Sequence, residues 1–168
     1  MAMAKTGVCV AAMLMSVGVF VATSAKVTAN PLTATLAFVE DQGCGQGFWR
    51  HHPGDWGPTG YSPDDLLGDL CEGSAFYGLD DATLMEALRF RGGRSPGGAA
   101  KILLREAVTA VLNTAHPDVD YPRAEIDVVI DVEVALAIGD REMMTDLADE
   151  LDEDNNLYCP FYEEDEVD

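Results

Sequence analysis

The sequence predicts a mainly α fold: a compact bundle of about five helices with an N-terminal extended arm and an irregular aromatic loop. Three observations lead to this prediction. From residue 62 onward, residues that start and stop helices recur at helix-length intervals. Between them, apolar residues repeat at three- and four-residue spacing. Only residues 30–42 alternate as a strand does, and one strand cannot form a sheet.

The first 29 residues have the composition of a secretory signal peptide. Lys5 supplies a short positive start, residues 8–22 are largely apolar, and Val27-Thr28-Ala29 offers a cleavage site, with Thr23-Ser24-Ala25 as second choice. The apolar run is shorter than the roughly 20 residues that a spanning helix needs, which favours a cleaved signal over a retained anchor. We therefore expect a secreted protein that is extracellular or attached to the cell surface.

The chain is strongly acidic, with 30 acidic and 10 basic residues and a net charge of −20. Cleavage after Ala29 would remove Lys5 and Lys26 and no acidic residue. Such a surface repels nucleic acid and anionic lipid, so we expect no nucleic-acid partner and no membrane partner after cleavage. It suits a protein adapted to strong salt or one that gathers cations, and a solvated acidic surface is the simpler interpretation. The expected partners are other cell-surface or extracellular proteins, or a second copy of the chain.

Residues 30–42 form the predicted extended arm. Leu32, Leu36 and Phe38 alternate with residues of the opposite face, so one face is fully apolar. A single strand leaves its backbone groups unpaired, so the arm must join a sheet, pack on its own domain or pair with a neighbouring molecule. Pairing with a neighbour would make the protein a subunit of an extracellular filament. Packing on its own domain is the favoured alternative, because no other sheet is predicted to accept the arm.

Residues 43–56 (GCGQGFWRHHPGDW) form the predicted aromatic loop. Four glycines and a proline interrupt any helix or strand there. Large aromatic side chains normally bury a large apolar area, so we expect this loop to fold against the helical body. The candidate structural or interaction residues of the loop are Phe48, Trp49, Arg50, His51, His52 and Trp56.

Five helices are predicted after the loop: residues 62–70, 80–92, 95–115, 122–139 and 140–151. The fourth is rich in β-branched residues and could be a strand by propensity. Its length, its Pro122 start, its Gly139 stop and a stripe of Ile126, Val129/Ile130, Val134 and Ala137 favour a helix. The helical domain then covers residues 43–162, and we expect the acidic tail, residues 163–168, to be frayed.

Residues 44–53 (CGQGFWRHHP) resemble the C-[TS]-x-G-[YF]-W-[KR]-x-H signature of a family of secreted bacterial and archaeal domains. Segments from Thr83-Leu84 to Cys159-Pro160 are similar to the same family, so the resemblance covers roughly residues 43–161. Gly45 stands where the family more often has threonine or serine. The family has no established activity and occurs alone or attached to extracellular proteins. The resemblance implies an extracellular location and a compact, largely helical fold.

Three cysteines remain after signal cleavage, and we expect them in an oxidising compartment. Cys44 and Cys159 bracket the resembling region, and a disulfide between them would tie the last segment to the aromatic loop. Cys71 would then be free or would pair between molecules. A buried thiol behind the first predicted helix is the favoured interpretation.

No cofactor is assigned from the sequence, and zinc, copper or calcium binding is the alternative. Neutral imidazoles of His51, His52 and His116 would suit zinc or copper, although adjacent histidines usually point apart. A calcium site would need ligands at the first, third, fifth and twelfth positions of an EF-hand-like loop. The sixth position of such a loop requires glycine for its sharp turn, and here it is Leu157. Those calcium candidates are Asp152, Asp154, Asn156 and Glu163.

The sequence contains no catalytic motif of a hydrolase or a phosphate-binding loop. We therefore predict no catalytic residues. The leading hypothesis is a secreted, non-enzymatic structural or interaction module. The alternatives are an extracellular metal-binding domain that uses the histidine-rich loop, and a filament subunit assembled through the arm.

Overall fold

A computed structural model describes residues 40–162 of the chain, and this range is mainly α-helical. Its α-helices are α1 (Gln46–His51), α2 (Leu67–Leu70), α3 (Leu84–Ala87), α4 (Pro96–Ala115), α5 (Glu125–Ile138) and α6 (Arg141–Asn155), with 3₁₀ helices at Pro53–Thr59 and Glu72–Tyr77. Isolated bridges pair Gln42 with Tyr158 and Leu66 with Thr83, and the described range has no sheet. The predicted mainly α fold is confirmed. The predicted signal peptide, residues 30–39 of the arm and the acidic tail lie outside the described residues.

Helix α4 is the centre of the fold. Ser95 caps it by accepting a hydrogen bond from the Gly98 amide, and Pro96 is its first residue, as the sequence predicts. Residues 103–113 are buried apart from Arg105, so nearly every face of the helix is covered. Helices α5 and α6 pack against α4, and α1 and α3 contact it as well. Helix α4 therefore contacts the elements that carry most of the candidate site residues.

Helices α5 and α6 are joined by a tight turn and contact each other. Gly139 ends α5 with a φ of 73°, a left-handed conformation that favours glycine. Asp140 then caps α6, since its Oδ1 accepts a hydrogen bond from the Met143 amide at 2.9 Å. The predicted stop and start are confirmed, while α5 begins at Glu125, three residues after the predicted Pro122.

The buried face of α5 differs from the stripe that the sequence favours. Val128, Val132, Ala135 and Leu136 are buried, whereas Ile126, Ile130 and Val134 of the predicted stripe are exposed. The reason is that α5 is apolar on several faces, so spacing alone does not decide which one packs on α4. The outer face of α5 is left apolar.

The stretch predicted as an irregular loop contains helix α1 and the 3₁₀ helix Pro53–Thr59. Its glycines and proline disfavour regular structure, but burial of Phe48, Trp49 and Trp56 in the core outweighs that local preference. The prediction that this stretch packs against the helical body is confirmed, and its backbone is more regular than predicted.

The first two predicted helices are shorter than expected. Helices α2 and α3 have one turn each, and the Leu66–Thr83 bridge lies between them. Thr83 and Glu86 form a reciprocal capping box at the start of α3. The Gln42 amide donates to Asp120 O at 2.9 Å, so the described end of the arm lies on its own domain. None of the helices in residues 40–162 is long and apolar enough to cross a membrane.

Candidate functional site

A disulfide joins Cys44 to Cys159, as predicted, and both cysteines are buried. It connects the segment before α1 to the segment after α6. A Cβ atom at Gly43 would overlap the carbonyl oxygen of Asp154, so glycine permits this close passage of the chain beside α6. The disulfide therefore anchors the aromatic stretch to the end of the domain.

The side-chain amide of Asn113, on α4, lies at the centre of the site. Its Oδ1 accepts hydrogen bonds from the Cys44 amide at 2.9 Å and from Trp49 Nε1 at 3.0 Å. Its Nδ2 donates to Cys44 O at 3.0 Å and to Asn155 Oδ1 at 3.2 Å. An asparagine side chain offers two donor hydrogens and two acceptor positions, and here all four are used. Asn113 therefore ties α4 to the disulfide, the aromatic stretch and α6.

Asn155 continues this network on α6. Its Oδ1 also accepts from the Tyr121 hydroxyl at 2.9 Å, and its Nδ2 donates to Glu106 O at 3.1 Å. By residue type, either asparagine at the end of α6, Asn155 or Asn156, could cap the helix. The structure gives that role to Asn156, whose Nδ2 donates to Asp152 O at 2.7 Å, while Asn155 points into the core.

Glu106 is a buried carboxyl group on α4, with an exposed fraction of 1%. Arg105 Nε donates to Glu106 Oε1 at 2.7 Å, and Asn155 Nδ2 lies 3.4 Å from Oε2. Burial raises the pKa of Glu106 above the ordinary glutamate value because it disfavours the charged form, and the hydrogen bond from Arg105 only partly opposes this. The folded protein therefore holds this proton more tightly than the unfolded chain.

Glu106→Gln is expected to change the pH dependence of stability. As pH rises above about 4.3, the unfolded chain loses the Glu106 proton before the folded protein does. The wild-type free energy of unfolding should therefore fall with rising pH relative to the variant, by at most about 1.4 kcal/mol per pH unit. Urea unfolding between weakly acidic and neutral pH measures the difference. Replacement of the exposed Glu142 by glutamine is the control, and parallel profiles for wild type and Glu106→Gln would contradict the prediction.

Asn113→Ala is expected to lower the free energy of unfolding by about 2–3 kcal/mol, because it leaves the Cys44 and Trp49 donors buried without this acceptor. Thr114→Ala, at the next position of α4, removes only a bond to Val111 O on the same helix and should stay within about 0.5 kcal/mol. Chemical denaturation of both variants provides the comparison. Equal midpoints would show that the Asn113 network adds nothing to stability.

The aromatic side chains around this network form one cluster. The Phe48 and Phe161 rings stack with centroids 5.1 Å apart, and Trp49 meets Phe48 edge-on at 5.1 Å. Trp56 Nε1 donates to Trp49 O at 2.9 Å, which fixes the 3₁₀ helix against α1. Trp49 and Trp56 have exposed fractions of 0% and 1%. Trp49 and Trp56 are therefore core residues.

The three candidate metal ligands occupy different environments. His52 is exposed, stacks on Phe48 with centroids 4.5 Å apart, and donates from Nδ1 to Phe48 O at 2.8 Å. His51 is exposed and accepts at Nε2 from Arg50 at 3.1 Å. His116 is buried, and its Nδ1 accepts from the Asp118 amide at 3.2 Å. Across residues 40–162, no three His, Cys, Asp or Glu side chains are arranged to hold a metal ion.

The three candidate calcium ligands within residues 40–162 lie in or at the end of a helix. Asp152 and Asp154 belong to α6, and Asp154 is paired with Arg123. Asn156 follows the helix as its C-terminal cap, and Glu163 lies outside the described residues. An EF-hand loop needs its carboxylates to converge from an irregular backbone, which a continuous helix does not provide.

Cys71 is a free, buried thiol beside α2, in agreement with the favoured prediction. Burial is the main cause that raises the pKa of its thiol, and the nearby Glu133 carboxylate raises it further. Since the thiolate is the reactive form, we expect native protein to react with a disulfide exchange reagent more than about tenfold slower than a free thiol. Thiol titration with and without denaturant tests this, and equal rates would contradict it.

Sequence reasoning missed the roles of Glu106 and Tyr121 and the inward orientation of Asn113 and Asn155. A signal was present: Glu106 and Asn113 are polar residues seven positions apart, hence on one face, within a helix that is otherwise largely apolar. Their partners on α6 and before α1 could not be read from that pattern. No known family model matches this sequence, and comparison with curated proteins and with solved structures finds no match either.

Proposed function

We propose that this protein is a secreted, non-enzymatic structural or interaction module that works outside the cell or at its surface. The Cys44–Cys159 disulfide is the observation that carries the proposal. It lies in the core and links the two ends of the helical domain. Disulfides of this kind form and persist in oxidising compartments, which agrees with the signal-like composition of residues 1–29.

The hydrogen bonding of the candidate site supports a structural role for it. The side-chain amides of Asn113 and Asn155 form hydrogen bonds with each other and with neighbouring backbone and side-chain groups. A catalytic or ligand site needs polar groups directed at a position that a substrate can occupy. Here the same groups hold the disulfide, the aromatic stretch and α6 in place.

Two sequence features add support to the extracellular assignment. The net charge of −20 suits a protein that must stay soluble in strong salt. The signature at residues 44–53 resembles that of a family of secreted domains, which supports an extracellular location. The structure gives two residues of that signature a physical reason, because the Cys44 side chain forms the disulfide and Trp49 Nε1 donates to Asn113 Oδ1.

Export of the full chain in a bacterial host tests this proposal. We expect processed protein outside the cytoplasm, beginning at Asn30, with Cys44 and Cys159 oxidised and Cys71 reduced. Ala29→Asp is the matched control, since it places a charged residue where signal peptidase requires a small one. Cytoplasmic, unprocessed chain with all its thiols reduced would contradict secretion.

Elemental analysis of tag-free protein and assays for turnover test the non-enzymatic part. We expect zinc, copper and calcium far below one ion per chain, and no turnover of common extracellular substrates. Turnover that disappears in His52→Ala, or stoichiometric metal lost in the same variant, would favour the metal-binding alternative instead.

A further inference from the structure

The outer face of α5 is an exposed apolar stripe. Ile126, Ile130, Val134 and Ile138 have exposed fractions of 56%, 51%, 51% and 57%. They are four residues apart, so they lie along one side of the helix, over a length of roughly 18 Å at about 1.5 Å per residue. Four β-branched side chains in a row on a surface helix mark a surface that another molecule covers.

The stripe continues into a groove between α5 and α6. The groove has a volume of about 470 Å³, with an apolar floor formed by Val134 and Ala135 of α5 and by Met143 and Leu147 of α6. Val134 belongs to both the stripe and the groove, so the two make one surface, the α5–α6 face. Met143 is 42% exposed, which leaves a flexible side chain able to adapt to an incoming apolar group.

Acidic side chains border this face. The carboxylates that line the groove are Asp131, Asp140, Glu142, Asp146 and Glu150. Among the residues that the structure describes, only Glu150 of this set has an ion pair, with Arg123 at 3.5 Å. Helix α5 carries no basic residue, and Arg141 is the only one on α6. The border is therefore an anionic rim in which, among the described residues, only Glu150 is paired with a basic side chain.

We propose that the α5–α6 face binds a cationic amphipathic helix of a partner protein. Such a helix places apolar residues at three- and four-residue spacing against the stripe, and its lysines and arginines against the rim carboxylates. This inference deepens the interaction role proposed above and rests on it. It does not involve the Asn113 network or the disulfide.

The charge of the face decides between the occupants that an apolar surface could have. A second copy of the chain would bring a second anionic rim against the first, and like charges across an interface cost several kcal/mol. An anionic lipid surface is repelled in the same way. A basic helix is the occupant for which both the apolar stripe and the rim contribute attraction.

A fluorescent peptide of about 18 leucine and lysine residues, with leucine at three- and four-residue spacing, is the probe. We expect saturable binding by fluorescence anisotropy. Val134→Ser combined with Ile138→Ser should weaken binding at least about tenfold, whereas Tyr158→Ser, at an exposed site outside the face, should change it less than about twofold.

Glu142→Gln with Asp146→Asn should also weaken binding and reduce its dependence on salt. Circular dichroism establishes that each variant is folded.

Several results would overturn the proposal. The proposal is wrong if the wild-type protein fails to bind the peptide or if a scrambled peptide of the same composition binds equally well. It is also wrong if Tyr158→Ser weakens binding as much as Val134→Ser with Ile138→Ser does. A dimer that Val134→Ser with Ile138→Ser dissociates would assign the face to a second copy. Binding to uncharged phosphatidylcholine vesicles that the same variant abolishes would assign it to lipid. Because purified protein is used, these results are independent of export, which tests the function proposed above.

Discussion

Trp49→Ala is expected to lower the free energy of unfolding by about 3–5 kcal/mol, the usual range for truncation of a large buried aromatic residue. The Trp49 side chain is fully buried and packs near Phe48, His116 and Phe161, with ring centroids between 5.1 and 6.4 Å away. Truncation leaves a cavity among these rings. It also removes one of the two donors to Asn113 Oδ1. Urea denaturation followed by circular dichroism gives the free energy and shows whether unfolding stays two-state.

Two exposed positions serve as controls for Trp49→Ala. Phe76→Ala removes an aromatic ring that is 71% exposed and should cost less than about 1 kcal/mol. Arg94→Ala, in the exposed turn before α4, should stay within about 0.5 kcal/mol. If Trp49→Ala unfolded at the same urea concentration as these two variants, the aromatic stretch would be peripheral to the fold.

The three long helices could be predicted because at least one end of each is encoded locally. Ser95 and Pro96 start α4, Gly139 stops α5, and Asp140 starts α6, each through a hydrogen bond or a backbone conformation that needs that residue type. Long apolar periodicity between these ends supplies the rest of the signal. Local chemistry and tertiary packing agree at these positions, so sequence reasoning succeeds there.

The short helices could not be predicted with correct ends. One-turn helices such as α2 and α3 are far below the length at which a helix is stable alone, so contacts distant in sequence decide where they begin and end. The orientation of α5 has a similar cause. Its sequence offers apolar residues on opposite sides, and only the fit against α4 determines that Val128 and Val132 face inward while Ile126 and Ile130 face outward.

The same distinction applies to the candidate site: features that follow from residue type could be predicted, and contacts between distant segments could not. Burial of Phe48, Trp49 and Trp56 follows from residue type, and it was predicted. The bonds of Asn113 to Cys44 and to Asn155 span 69 and 42 residues, and neither segment carries a local pattern that names its partner. The histidines show the converse: their composition raises a metal site only as an alternative, and the structure places His52 and His116 against rings of the aromatic cluster.

Loss of the Cys44–Cys159 disulfide is expected to lower the free energy of unfolding by about 4–5 kcal/mol in the chain-entropy account. The two cysteines are 115 residues apart, so the bond closes a loop that contains nearly all of the described domain. Without it, the unfolded chain gains conformational freedom, while the core contacts of the folded state are retained. The comparison is between wild type and Cys44→Ala with Cys159→Ala, in urea with and without a reducing agent.

The reducing agent makes this test specific to the disulfide. We expect it to shift the wild-type unfolding midpoint to that of the double variant and to leave the double variant unchanged. Cys71→Ala is the matched control, because it removes the free buried thiol and keeps the disulfide. It should respond to reductant as the wild type does. If the double variant were as stable as oxidised wild type, the packing of Phe48, Phe161 and the Asn113 network would by itself hold the two ends of the domain together.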